Sequence, residues 1–170
     1  MRGRPIWGLF IGLAVLVVLA DQLTKAMIVS AIQPGGFLPV VGDFVRLVHS
    51  RNSGALFGLF RDNAVVFGLV SFGVVAMIVA YHARSGRSAY LSVALGLLLG
   101  GAIGNLIDRL RLGYVVDFVD AGVGDLRWYT FNVADAAISL AIVMLVLAAI
   151  RPSLVEPPEK RADSDPVPDA

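Results

Sequence analysis

The chain has 170 residues and no cysteine. That excludes disulfides, a thiolate nucleophile, a cysteine-ligated metal and lipidation of this chain on Cys. Histidine is scarce too. His49 and His82 lie far apart with no second ligand at metal spacing, so no zinc site is expected and no cofactor is implied. Charged residues make up only 16% of the chain and the formal net charge is +1, which gives no reason to expect nucleic-acid binding. There is also no internal repeat of the kind many transporters carry.

What fills the chain instead is apolar. Hydrophobic residues reach 57%, and the mean hydropathy is +0.78. That profile belongs to the membrane class. A span needs about 20 mostly apolar residues, so the length allows four spans, short loops and a tail. The expected fold is an all-α membrane protein, one domain over residues 1–152 with transmembrane helices at about 6–32, 64–81, 89–107 and 131–150. The first run, with Arg2 and Arg4 before it and Val18-Leu19-Ala20 within it, also fits a cleavable signal peptide. Against that reading, apolar character resumes at Ala26-Met27-Ile28-Val29, after the polar island Asp21-Gln22-Leu23-Thr24-Lys25. Asp21 and Lys25 stand at i, i+4 on one helix face, a structural ion pair expected to tie span one to the outer loop.

Pro34-Gly35-Gly36 breaks the first helix, and the β-rich runs Phe37–Val41 and Phe44–Val48 predict a small extracytoplasmic β element after helix 1. The apolar, Gly-rich segment Gly54–Phe60 is expected to dip toward the headgroups. Residues His82–Ser88 read as a tight polar loop. A periplasmic loop of about 20 residues, with Trp128 and Tyr129 as interfacial aromatics, is expected between helices 3 and 4. Residues 153–170, proline-rich and charged, read as a disordered cytoplasmic tail. Arg2, Arg4, Arg84, Arg87 and Arg151 fall on one side by counting, which places both termini in the cytoplasm and both long loops outside.

Carboxylates at a bilayer edge are costly and need a reason to be there. Asp117 sits in the strand-like run Tyr114–Val119, and Asp135 sits about one turn into the fourth span, past Asn132 on the same face. Neither has an adjacent basic residue. If they meet, repulsion favours one shared proton, and the pair can drive one water into an amide by acid–base chemistry. The alternative is a polar interhelix contact at Asp135 and a solvated loop carboxylate at Asp117. Asn52 and Asn132 can clamp a substrate's backbone or simply hydrogen-bond between helices. Gly100, Gly101 and Gly104 form a small-residue face for close approach, and Asp108 and Arg109 read as holders of the outer helix ends. A serine–lysine hydrolase built on Lys25 with Ser30, Ser50 or Ser53 is a rival without a nucleophile-elbow pattern. An ion-coupled transporter and a scaffold protein are two more.

Five segments, taken in order, carry a resemblance: Asp21-Gln22-Leu23-Thr24-Lys25, Arg51-Asn52-Ser53-Gly54-Ala55, Gly100 through Arg109, Gly113-Tyr114-Val115-Val116-Asp117-Phe118, and Phe131-Asn132-Val133-Ala134-Asp135. With them the chain strongly resembles the lipoprotein signal peptidases (signal peptidase II), bacterial inner-membrane aspartic peptidases. The resemblance implies that Asp117 and Asp135 are the catalytic pair. It implies that Asn52, Gly54, Gly101, Asn105, Val115, Asn132 and Ala134 shape the site or hold substrate, with Asp21, Lys25, Asp108 and Arg109 as polar support. Ser53 stands where the family often has Thr, and keeps the hydroxyl. The implied substrate is a prolipoprotein whose cysteine carries a diacylglyceryl group, cut just before that cysteine. It would arrive laterally from membrane lipid, past walls formed by span three and Gly54–Phe60. The implied inhibitor is the cyclic peptide globomycin.

Overall fold

The computed structural model describes residues 4–53 and 64–155, with the backbone alone at 64–68. Helix α1 runs Trp7–Ala31, α2 Ala64–Ser85, α3 Ala89–Leu112 and α4 Val133–Ile150; strands β1 Phe37–Val41 and β2 Val45–Asn52 follow α1, and β3 Val115–Val123 and β4 Leu126–Arg127 follow α3. Among the described residues, α1, α3 and α4 are long and apolar enough to cross a membrane; the described side chains of α2 add a shorter apolar stretch, Leu69–Ser85. Gly54, with the expected wall at Gly54–Phe60, and residues 156–170 of the expected tail lie outside the described residues.

The helices are apolar on nearly every side, so their burial patterns, rather than amphipathicity, show how they pack. On α1 the buried residues are Phe10, Ala14, Val17, Asp21, Lys25 and Ile28, a single stripe at helical spacing. It begins with an aromatic ring and ends in charge. On α3 the buried set is dominated by small and polar residues: Ala94, Gly96, Gly100, Gly101, Ala102, Gly104, Asn105 and Asp108. Small residues let backbones come together. A Cβ on Gly101 would stand 2.5 Å from the Ala134 carbonyl of α4, so that crossing requires glycine. Helix α3 is thus the hub, with α1, α2 and α4 around it.

Local signals end and start the helices. Gly113 (φ +80) closes α3 in the left-handed conformation, its N–H bonded to Arg109 O. Asn132 opens α4 with a reciprocal capping box: its side chain accepts from Asp135 N, and the Asp135 carboxylate accepts from Asn132 N. After α4 the chain turns through a 3-10 segment, Pro152–Leu154, and Val155 packs against the core cluster around Phe10, Leu95 and Leu99. The expected tail boundary at 153 falls inside this turn.

Two expectations need correction. The segment between α3 and α4 is not mainly a loop. Its residues Val115–Val123 form β3, which pairs antiparallel with β2 and completes a four-stranded sheet in the order β1-β2-β3-β4. Backbone groups buried beside an apolar bundle must find partners, and β2 supplies them. Likewise His82 is not in a polar loop. Helix α2 continues to Ser85, and His82 is fully buried, stacked on Phe10 with ring centroids 3.9 Å apart.

Candidate active site

The sheet and the polar ends of α1, α3 and α4 meet at one end of the bundle. The register β2–β3 sets Ser50 opposite Asp117 and Asn52 opposite Val115. The next bridge, Val119 to Phe131, ties β3 to the residues that open α4. These two pairings carry Asp117 to the N-terminus of α4, where Asp135 occupies the first turn.

One residue touches both acids. Asn132 Nδ2 donates to Asp117 Oδ1 at 2.7 Å, and the Asn132 backbone N–H donates to Asp135 Oδ2 at 3.2 Å. The other oxygens are taken as well. Asn52 Nδ2 donates to Asp117 Oδ2 at 2.9 Å, and Asn105 Nδ2 donates to Asp135 Oδ1 at 2.8 Å. All four oxygens therefore accept a hydrogen bond from an uncharged N–H. Asp117 is buried and Asp135 half-buried. Burial pushes the Asp117 carboxyl up to about 6; the Asn52 hydrogen bond opposes the rise, the Asp135 charge adds to it, and Asn132 and the Lys25 charge oppose it. An open cavity of about 250 Å³ adjoins Asp135, lined also by Trp128, Phe131, Ala136 and Ser139.

Beneath the pair lies a buried polar cluster. Lys25 Nζ stands 2.7 Å from Asp21 Oδ2 and 2.8 Å from Asp108 Oδ2, and donates to Asn105 Oδ1 at 3.1 Å. The Asp21–Lys25 pair is therefore present, but it ties α1 to α3 rather than to the outer loop. Asp21 also reaches α4, where Ala134 N donates to its Oδ1 at 3.0 Å. Arg109 Nη1 donates to the Asn105 carbonyl at 3.3 Å, and its charge falls on Asp135, Asp117 and Asp108. The acids do have cations in range, which sequence adjacency could not reveal. Val115 is buried in β3 beside Asn52, and Gly101 holds α3 against Ala134.

Gln22 joins the cluster as a residue to which the sequence alone assigns no role. Its Nε2 donates to Asp108 Oδ1 at 2.9 Å, and to Asp21 Oδ2 and the Gly104 carbonyl at 3.2 Å each. The signal was its place in the polar segment Asp21-Gln22-Leu23-Thr24-Lys25, which also carries the family resemblance. The rival serine–lysine arrangement finds no support: Lys25 is committed to two carboxylates, and Ser30 is exposed with its hydroxyl on Met27 O. Among the described residues no group of His, Asp or Glu could hold a metal ion.

Three apolar helices and a sheet that gathers buried carboxylates at one end define a small membrane enzyme. A solved bacterial membrane enzyme has the same fold, with a TM-score of 0.81 at 28% identity over 94% of this chain and 98% of the other. The family model for signal peptidase (SPase) II matches residues 13–151, and the chain belongs to that family, which makes it a protease. Its relatives include the lipoprotein signal peptidase of Moorella thermoacetica, 42% identical over 85% of this chain and 94% of the relative. The lipoprotein signal peptidase of Syntrophotalea carbinolica is 44% identical over 82% and 89%.

Proposed function

We propose that the protein is an intramembrane aspartic endopeptidase. It removes the signal peptide from diacylglyceryl-modified prolipoproteins, cleaving before the lipidated cysteine. The observation that carries this reading is Asn132, which hydrogen-bonds the carboxylates of Asp117 and Asp135 at once and so gathers the two acids around one residue. Family membership supplies the substrate class. In the proposed topology α2 also crosses the membrane, which makes four spans; both termini are cytoplasmic, and the sheet and site sit near the outer face of the bacterial inner membrane. Membrane lipid then delivers the substrate laterally.

In the resting pair, one proton is shared. Burial, with the Asp135 charge adding to it, raises the Asp117 carboxyl to about 6, so Asp117 carries that proton below about pH 6. Ionised Asp135 takes a proton from water as the oxygen attacks the scissile carbonyl. Asp117 gives its proton to the carbonyl oxygen; as the C–N bond breaks, Asp135 passes its proton to the leaving amine and the diol returns one to Asp117, which restores the singly protonated pair. Asn52, Asn105 and Asn132 hold the carboxyl groups or the substrate backbone; Gly101, Val115 and Ala134 shape the walls. Globomycin-type peptides are proposed to block the same groove.

The test is cleavage of a purified lipidated precursor, beside the same precursor lacking its lipid. Asp117→Asn and Asp135→Asn should each insert normally and cut roughly 100- to 10,000-fold more slowly. Turnover near wild type in either variant sinks the assignment. The pH dependence has a sign. Below about 6 Asp117 retains the shared proton, and above it the proton is lost, so kcat/KM, which reports the free enzyme, should fall along an alkaline limb starting there.

A further inference from the structure

The buried cluster beneath the pair has a symmetry that the acid–base reading does not use. Asp108 Oδ2 accepts the backbone N–H of Val116 at 3.1 Å. Val116 is the residue immediately before Asp117. Asp21 Oδ1 accepts the backbone N–H of Ala134 at 3.0 Å. Ala134 is the residue immediately before Asp135. Each supporting carboxylate thus grips the amide next to one acid of the pair, and Lys25 joins the two supports through contacts of 2.7 and 2.8 Å. Its third hydrogen bond goes to Asn105, whose amide nitrogen holds Asp135. Gln22 closes the clamp, bonding Asp21 and Asp108 at once.

We infer that Lys25 is a positioning residue for both acids, acting through Asp21 on Ala134 and through Asp108 on Val116, with Gln22 as its brace. This rests on the aspartic-peptidase reading above.

Three features favour this over a plain helix tie. First, a helix tie needs only side chains of α1 and α3, whereas this cluster spends one carboxylate oxygen on β3 and another on α4. Second, Lys25, Asp21 and Asp108 are all buried, so their contacts exchange little with water and keep a fixed geometry. Third, the spacing between the acids is set by two backbone segments from different elements. A single cation fixed to both supports sets that spacing directly. Since a displacement of about 1 Å can cost on the order of 100-fold in rate, the clamp bears on turnover rather than on substrate affinity.

The charge of Lys25 also reaches Asp117. The groups facing Asp117 are Asp135 from α4, Lys25 from α1 and Arg109 from α3, together with the amides of Asn52 and Asn132. The Asn52 and Asn132 amides hold the Asp117 carboxyl down against burial, and the Lys25 charge adds a smaller pull in the same direction. Removing the ammonium must let it rise.

The experiment uses the full-length protein in detergent or proteoliposomes with a lipidated precursor peptide. Wild type must first cleave it; no cleavage by wild type would reject the underlying function and not this inference. Given cleavage, Lys25→Met should lower kcat roughly 100-fold with KM within about three-fold of wild type, and should move the alkaline limb to higher pH. Lys25→Arg keeps a cation that cannot match the ammonium's three contacts. It should return the limb to its wild-type position while restoring kcat only in part. Gln22→Leu, at the half-exposed rim of the cluster, should fold normally and lower kcat several-fold without moving the limb. Folding is read separately by thermal unfolding. The inference is overturned if Lys25→Met unfolds and Gln22→Leu cleaves like wild type. It is equally overturned if a folded Lys25→Met keeps the wild-type limb, or if its loss appears in KM.

Discussion

The two ends of the helix bundle both bury polar side chains in apolar surroundings, and they do it by opposite means. At the sheet end, Lys25 has three partners, Gln22 three, and both Asp21 and Asp108 bond to elements beyond their own helix. At the other end, His82 bonds a single side chain, Ser92, at 3.1 Å, and Ser92 passes a hydrogen bond to the Gly86 carbonyl. The remaining ring nitrogen of His82 has no hydrogen-bond partner. Its ring lies flat on Phe10, edge-on to Trp7, and under Gly86, where any added Cβ would strike it. One end is an electrostatic network whose members fix one another. The other is an aromatic plug held by contact area. The stripe on α1 passes through both, from Phe10 to Lys25.

The difference teaches where charge is needed. A charged cluster imposes positions on the backbone segments it holds, because an unpaired buried charge is far worse than a misplaced apolar contact. An aromatic plug only fills space. The largest expected effect therefore falls at the sheet end. Asp108→Ala leaves Lys25 with one carboxylate fewer, Gln22 with an empty bond and Val116 N–H without its acceptor. Breaking one partner out of a buried ionic set costs about 3–5 kcal/mol. The midpoint of thermal unfolding in detergent should drop accordingly, and cleavage should fall even in the fraction that remains folded. A drop no greater than that of an exposed charge substitution would mean the network is not the stabilising element of this end.

Much of this end was legible in the sequence, and the reasons are physical. Asp21 and Lys25 lie at i, i+4, so their pairing follows from helix geometry alone. Asn132 and Asp135 lie at the spacing of a capping box ahead of an apolar run, which brings them together without tertiary information. The glycines of α3 mark a close crossing wherever they occur in a span. What could not be read were partners supplied by distant segments. Val115–Val123 is buried along most of its length and gives no alternation to reveal a register. Its partner strand ends more than sixty residues earlier, and only the fold brings them together. Gln22 looked like an ordinary polar residue, since its acceptors Gly104 and Asp108 come from another helix. The same holds for His82: a histidine and two arginines near a helix end read as a polar loop, and the Phe10 ring that buries it comes from the other end of the sequence of contacts, on α1.

A shape-conserving change in the plug supplies the smallest effect and the sharpest contrast. If its hydrogen bond to Ser92 matters little, His82→Phe should be close to neutral. The new ring has nearly the same shape and keeps the stack on Phe10, Ser92 still donates to the Gly86 carbonyl, and the unpartnered ring nitrogen disappears. Replacing a buried polar group by an apolar one of the same shape is close to neutral, so the unfolding midpoint should shift by no more than about 1 kcal/mol in stability. His82→Ala, by contrast, removes the ring and leaves a void between α1 and α2, with a loss of about 3–5 kcal/mol expected for an aromatic-sized cavity. Neither variant should alter the pH profile of cleavage, because His82 sits at the opposite end of the bundle from Asp117. A destabilisation by His82→Phe as large as that of Asp108→Ala would show that this end too depends on a specific polar bond, and the contrast between the two ends would fail.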